Sequence, residues 1–514
     1  MPRPYTPKGP GEYGSDEIDE LVRLGTEHHW IQNHLSQDVT ASGAQRIMVR
    51  GEGTSIYDIA GNEYIDAMAG LFLANIGHGR QEVVDAVAAQ LSQLQYINSG
   101  AYSNVPAILL AEHIAQKAPG DLSRVFFSGG GSEAVEIAIK MAKQYHFEGG
   151  NAKKTKIISR RNQYHGSTYA AMSVGGKRQY KGVFDPMMGG VVQIDMPYWY
   201  RSPFSAGDPR GEHLGEQAAQ ALENAIEHEG PDTIAAFIAT PVQNGNMFPP
   251  PDYWPRIREI CTKHNILMVA DEIICGFGRL GRWFGLEHWG VAPDIMTIAK
   301  ALTSGYLPVG ATVASKEVGD RFRQGPQDTF MHGVTYGSHP AVMAAGLAVQ
   351  RIIDEENLVE RSARMGALLY EQVSELTDRH PSMGFVGGGW GLLMNIEMVK
   401  NRATKEKIGG SPDSEYANVF TTRLRERGLA IRGGDNVVLS PPLSIDAETV
   451  GQIVGILDAT ITDMEKDFPT EDPFNEPVYE YPYLDRDWWK QPDGKALDVL
   501  TKAQPAGVPA GGGS

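Results

Sequence analysis

Between about residues 106 and 310, short apolar, β-rich runs alternate with helical patterns. This alternation limits what the chain can fold into more than any other feature. The runs are 124–127, 156–159, 234–239, 266–270, 295–298 and 309–314, with helical patterns such as 133–145 and 253–264 between them. The first of these helices carries Ala134, Ile137, Ala138, Met141 and Tyr145 at helical spacing. Runs with so little polar alternation suit strands buried on both faces. The pattern predicts an α/β fold in which helices cover both sides of a mostly parallel sheet. Upstream, 52–61 reads as a hairpin turning at Gly61-Asn62. After Gly346 the character changes to a helix over 341–356, strand-like stretches within 384–398 and 427–442, and a helix over 447–467. We read this as a second, smaller lobe.

Composition removes several function classes. Lys and Arg number 46 against 63 Asp and Glu, a net charge of −17, which disfavours nucleic-acid binding. The only cysteines are Cys261 and Cys275, so neither a disulfide framework nor a multi-cysteine zinc site is available. Two thiols in 514 residues suit a reducing cytoplasm. No apolar run reaches the roughly 18–20 residues of a membrane helix, and the N-terminus lacks the apolar core of a secretory signal. The Gly/Pro/Ala-rich ends, 1–14 and 504–514, are expected to be disordered. Residues 468–503 form an acidic extension whose Tyr479, Tyr481, Tyr483, Trp488 and Trp489 are expected to dock on a neighbouring surface.

In open α/β sheets ligands sit beyond the carboxyl ends of the strands. Here those ends are followed by Ser128-Gly129-Gly130-Gly131-Ser132, by Tyr164-His165-Gly166, by Thr240-Pro241-Val242-Gln243, by Asp271-Glu272 and by Lys300. A glycine loop opening a helix presents free N–H groups to an anion, though a tight turn alone would explain it. Asp271, after five apolar residues, is either a structural cap or a counter-ion for a protonated ring nitrogen. A strand-end lysine is usually just solvated, but a buried one is a nucleophile for a carbonyl. Lys300 and Asp271 on successive strands together fit a pyridoxal phosphate site. In such a site a lysine holds the cofactor covalently and an acid keeps its ring nitrogen protonated.

Two patterns point elsewhere. Gly276-Phe277-Gly278-Arg279-Leu280-Gly281 matches a dinucleotide fingerprint by letters, but no crossover helix follows it. His28, His29 and His34 lack zinc-site spacing and read as surface or interface histidines, so no metal is expected.

Several segments add up to a resemblance over about residues 25–465. They are 68–71 (Met-Ala-Gly-Leu), 75–79 (Asn-Ile-Gly-His-Gly), 132–134, 164–166, 271–279, 300–308 (Lys-Ala-Leu-Thr-Ser-Gly-Tyr-Leu-Pro), Thr335-Tyr336, His339-Pro340 and 440–443 (Ser-Pro-Pro-Leu). On these the chain resembles class III aminotransferases of pyridoxal-phosphate fold type I, most closely the omega-amino acid and amine:pyruvate enzymes. The resemblance implies a large lobe with a mostly parallel seven-stranded sheet plus a smaller α+β lobe. The corresponding division is 15–75 with the small lobe, 76–345 for the large domain and 346–467 for the C-terminal small domain.

The resemblance also implies roles. Lys300 would carry the cofactor and shuttle protons, and Asp271 would pair with the ring nitrogen. Ile273 and Tyr164 would pack on the two ring faces, and Gln243 would approach the phenolic oxygen. Gly130, Gly131 and Ser132 would line the phosphate, His165 would belong to the cofactor site, and Thr335 would reach the phosphate of a neighbouring subunit. The active unit would then be a homodimer or a dimer of dimers. Arg432 would receive substrate carboxylates, and Phe72 would shape the substrate pocket. The chain departs from the family pattern at Gly130, where a serine is common, at Thr240, where a glutamate is usual, and at Phe72, where several relatives have tryptophan. Its Gly337-Ser338 order is reversed, and the stretch around Arg432 is short.

The implied activity is transfer of an amino group from an amine or omega-amino acid to a keto acid, with pyruvate the expected acceptor. A racemase, decarboxylase or aminomutase on the same cofactor is the alternative within the fold, and a non-catalytic cofactor sensor the alternative outside it. The preferred amine is left open.

Overall fold

The structure, a computed structural model, describes residues 5–32, 43–177, 181–201, 204, 213–243, 245, 247–323, 329–411 and 414–471. Tyr479, Tyr481, Tyr483, Trp488 and Trp489 of the C-terminal extension, the 504–514 tail and His34 lie outside the described residues. Within the expected disordered N-terminus, the Gly11 amide donates to the Ile59 carbonyl at 3.2 Å.

The expected seven-stranded, mostly parallel sheet is present, in the order β4 (Leu122–Ser128), β10 (Gly310–Ser315), β9 (Ile295–Ala299), β8 (Leu267–Asp271), β7 (Ile234–Ala239), β5 (Lys156–Arg160) and β6 (Val191–Ile194). Strands β7, β8, β9 and β10 are buried along their whole length, as apolar runs covered on both faces must be. β6 is the strand that apolar runs alone do not reveal, because three half-buried residues and one buried one at an edge leave a weak signal. β10 alone runs antiparallel, against both β4 and β9. Its register pairs Gly310 with Ser128 on one side and Ala299 on the other. Thus the start of β10 meets the carboxyl ends of β4 and β9, and the residues after those ends share one sheet edge. The Gly131–Glu148 helix covers the adjoining face with Ala134, Ile137, Ala138 and Met141. Thr312 Oγ1 donates to the Ala134 carbonyl at 2.8 Å, tying that helix to β10.

The smaller lobe has an antiparallel sheet of β11 (Met383–Gly387), β12 (Met394–Asn401), β13 (Glu406–Lys407) and β15 (Asn436–Leu439), covered by helices Leu358–Leu376 and Ala447–Asp467. The expected hairpin is part of a meander, β1 (Met48–Glu52), β2 (Ser55–Asp58) and β3 (Glu63–Asp66). Buried Asp58 organises its turn by accepting the amides of Ala60 and Asn62 and the hydroxyl of Tyr64. β14 (Leu429–Ala430) adds to β3 in parallel, stitching the N-terminal segment to the C-terminal part of the chain. The expected division at 345/346 falls inside the Pro340–Glu355 helix, which packs on helices Gln81–Gln93 and Val105–Lys117.

The fingerprint-like 276–281 segment has a structural task. Arg279 is fully buried and donates to the carbonyls of Leu392 and Pro441 and to Asn75 Oδ1, joining three distant segments. Burial pushes its guanidinium down to about 9. Among the described residues no His/Cys/Asp/Glu cluster could hold a metal, and no helix is long and apolar enough to cross a membrane.

Candidate active site

Asp271 ends β8 and is 4% exposed. Such a carboxylate needs partners, and it has three. Oδ1 accepts from Thr297 Oγ1 at 3.1 Å and from the Ile273 amide at 3.2 Å, and Oδ2 lies 2.6 Å from His165 Nδ1. Thr297 is there because β8 and β9 are parallel with Asp271 opposite Thr297. The adjacent carboxylate turns away. Glu272 accepts the amides of Gly285 and Leu286, and burial outweighs these bonds and pushes its carboxyl up to about 8. One carboxylate thus faces the strand-end cleft while the next anchors a loop.

Lys300 follows β9 directly. Its φ is 45°, a left-handed conformation that a non-glycine residue holds only when its surroundings enforce it. Burial lowers its amine below the ordinary lysine value, and the Asp271 charge works in the opposite direction. The result is an amine with an enlarged neutral fraction, the form able to attack a carbonyl.

The glycine loop joins β4 to the Gly131–Glu148 helix. Ala134 N donates back to Gly130 O, whereas the amides of Gly131 and Ser132 have no partner among the described residues. The space a side chain would fill at Gly130 is open, and a Cβ on Gly131 would lie 2.9 Å from Ile273 Cδ1. Free amides, open space and a helix N-terminus suit a phosphate. Ser132 Oγ accepts the Ser167 amide at 3.0 Å, so the loop after β5 is tied to the glycine loop. Gly166 between them has a φ of 142°, and a Cβ there would be 2.6 Å from Ser132 Oγ. Tyr164 is 46% exposed, with its hydroxyl 2.9 Å from Ser167 Oγ. Gln243 is buried and donates to the Asn162 carbonyl.

Three further candidates stand apart from this cluster. Phe72 is half-buried against two of the hydrophobic cores, in a sharply bent 68–72 segment that Asp66 holds through the amides of Met68 and Gly70. Arg432 is exposed, two residues after β14. Thr335 is exposed on the 329–339 loop, where its carbonyl accepts the Tyr96 hydroxyl at 3.1 Å. Its loop packs beside the end of β4, where a Cβ on Gly337 would lie 2.9 Å from the Phe127 carbonyl oxygen, but among the described residues Thr335 makes no hydrogen bond to the glycine loop. The sequence reading missed Thr297, Gln163 and Arg160. A threonine inside the otherwise apolar run of β9 was the available signal for the first.

Residues 37–461 match the family described as aminotransferase class-III. A putrescine–pyruvate aminotransferase of Pseudomonas aeruginosa is 39% identical over 440 residues, covering 85% of this chain and 94% of the relative. A taurine–pyruvate aminotransferase of Bilophila wadsworthia is 38% identical over 463 residues, covering 87% and 98%. The solved structure of an amine transaminase from an uncultivated Pseudomonas species, in its PLP-bound form, superposes with a TM-score of 0.80 at 37% identity, covering 85% of this chain and 99% of that one.

Proposed function

Because the chain belongs to the class-III aminotransferases, we propose that it uses pyridoxal phosphate to move an amino group from a primary amine or omega-amino acid to pyruvate. The observation that carries this reading is the pairing of Lys300 with Asp271 at adjacent strand ends, beside a glycine loop with two amides that have no partner among the described residues. Pyruvate is the acceptor named for both curated relatives, while their named donors differ: one is a diamine, the other an amino sulfonate.

The residues present fit the cofactor. The amides of Gly131 and Ser132 would hold its phosphate, Asp271 would accept the ring N–H, and Ile273 and Tyr164 would enclose the ring. Gln243 would lie by the phenolic oxygen, with Gly130 and His165 completing the set. When bound, pyridoxal phosphate supplies an aldehyde for the amine and a protonated ring that draws off electron density. Lys300 Nζ would be the proton carrier, taking the proton from the amine-bearing carbon and giving it up on the cofactor side rather than back to that carbon. Arg432, exposed and unhindered by burial, receives the carboxylate of the keto acid. Phe72 borders the space for the donor's side chain.

We take the working unit to be a homodimer. Exposed Tyr102, Val105, Met331 and Tyr336 form apolar surface around the loop that carries Thr335. A second copy covering it would set Thr335 against the partner's phosphate site. Both cysteines are buried and free, which suits the cytoplasm.

A panel of amine donors assayed with pyruvate and with 2-oxoglutarate tests the reading. One keto acid should be consumed for each amine oxidised to a carbonyl, with pyruvate preferred. Lys300→Ala should abolish turnover. Full activity in that variant, or product formed without keto acid consumption, would overturn it.

A further inference from the structure

Behind Asp271 runs a buried chain of polar groups that the reaction as described does not use. Arg160, the last residue of β5, has no exposed surface. Its guanidinium lies over the rings of Tyr253 and Trp254 at 5.6 and 5.3 Å and donates to the Thr240 carbonyl. None of its partners among the described residues is a carboxylate. A buried guanidinium stays charged far more readily than any other side chain, so this is a permanent donor.

Two of its N–H groups, on Nη2 and Nε, converge on a single terminal atom of the Gln163 amide at 2.6 and 2.9 Å. An amide nitrogen there would face two donors, so that atom is the oxygen. The opposite orientation would set the oxygen 3.2 Å from His165 Nε2 and 3.4 Å from the Thr240 amide and the nitrogen 3.2 Å from Gln243 Oε1, but it would hold that nitrogen against two guanidinium donors and forfeit two charge-assisted bonds, which decides against it. The Gln163 amide nitrogen therefore points at His165 Nε2, 3.2 Å away. A nitrogen that accepts a hydrogen bond carries no proton, so the proton of the neutral ring is on Nδ1. Nδ1 faces Asp271 Oδ2 at 2.6 Å. Gln163 and His165 are both buried, so water offers no competing partner.

We propose that Arg160 and Gln163 are positioning residues that fix His165 as the Nδ1–H tautomer and so make it a permanent donor to Asp271. With Thr297 and the Ile273 amide, this gives Asp271 three donors and no acceptor. Arg160 is thus linked to Asp271 without touching it, through one amide and one imidazole. Thr240 leaves no carboxylate at the strand end nearest Gln163, and a carboxylate there would draw the guanidinium away from the amide.

The test is the tautomer itself, read by nitrogen NMR of the 15N-histidine-labelled enzyme purified with its cofactor. The His165 signals are assigned by their loss in His165→Gln. The expected spectrum has a pyrrole-type, protonated Nδ1 and a pyridine-type Nε2; a protonated Nε2 in the unaltered enzyme overturns the proposal without recourse to any variant. Gln163→Glu, which presents only acceptors, should convert Nε2 to the protonated type, and an unchanged spectrum would remove Gln163 from the chain. Arg160→Lys, which keeps a donor, should preserve the tautomer, whereas Arg160→Met should lose it. Identical His165 spectra in the two folded proteins would remove Arg160. The consequence for catalysis rests on Asp271 being the ring-nitrogen partner, but the tautomer does not. If Asp271→Asn keeps full cofactor affinity while the NMR result holds, the functional reading fails and the hydrogen-bond chain stands.

Discussion

Lys300 and Gly310 show how single residues set the candidate site. Lys300 holds a left-handed backbone at the end of a strand, a strained geometry of the kind that persists where a fold over-determines it. Gly310 sits opposite both Ser128 and Ala299 in the register, and a Cβ there would be 2.2 Å from the Gly130 carbonyl oxygen. Backbone cannot swing aside as a side chain can. We expect Gly310→Ala to displace the glycine loop, to lower stability by about 1–3 kcal/mol, and to weaken cofactor retention. Thermal melting with gel filtration of the loaded protein checks this, and a variant as stable and as fully loaded as the parent would contradict it. Lys300 and Asp271 were legible in the sequence because each is a polar residue closing an apolar run. The partners of Asp271 were not. His165 is 106 positions away and Thr297 is 26 away, and only the sheet register brings them together.

Among elements, the Ala447–Asp467 helix is docked by a partly buried ionic cluster around His380. His380 follows the Leu358–Leu376 helix, with Nδ1 3.0 Å from Glu465 and Nε2 2.7 Å from Asp458, while Ser382 donates twice to Glu465. Burial works against a charged His380, but the two carboxylates outweigh it and raise its pKa, and burial likewise opposes the charged Glu465, whose pKa is nonetheless lowered by His380 and Ser382. Unfolded, the imidazole loses its proton near the ordinary value of about 6.5. Folded, it keeps the proton to higher pH. Its contribution to stability is complete below about pH 6.5 and is lost as pH rises through the folded value. Melting temperatures measured from about pH 6 to 9 should fall more steeply for the parent than for His380→Gln, and parallel curves would dismiss the linkage. Helices were the most legible elements: the 447–467 pattern coincides with Ala447–Asp467, since a long apolar stripe repeats its signal over several turns. β6 was illegible, because a short edge strand leaves little local signal and exists only by pairing with β5 already in place.

The whole molecule raises the question of what completes the site. Thr335 is exposed, makes no hydrogen bond to the glycine loop of its own chain among the described residues, and is flanked by apolar surface. If a second copy supplies it, Thr335→Ala should weaken cofactor affinity. Hybrids of a Lys300→Ala chain with a Thr335→Ala chain should then contain one intact site per dimer. Mixing the two inactive or weakened proteins should recover up to half the activity per hybrid at full cofactor affinity, and no recovery would place Thr335 outside the partner's site. The division of the chain into lobes is also less sharp than the change of pattern near residue 346 suggests. The Pro340–Glu355 helix spans that point, β14 joins the N-terminal meander, and Arg279 ties Asn75 to Leu392 and Pro441. By itself the sequence determined the α/β architecture and the strand ends where the candidate site and its lysine–aspartate pair lie, because these follow from local periodicity and from polar residues placed where apolar runs stop. Only the tertiary structure decided which groups face Asp271, which way the Gln163 amide turns and which tautomer His165 adopts. Those choices depend on donors and acceptors brought within hydrogen-bond distance from strands far apart in the chain, where no local pattern records them.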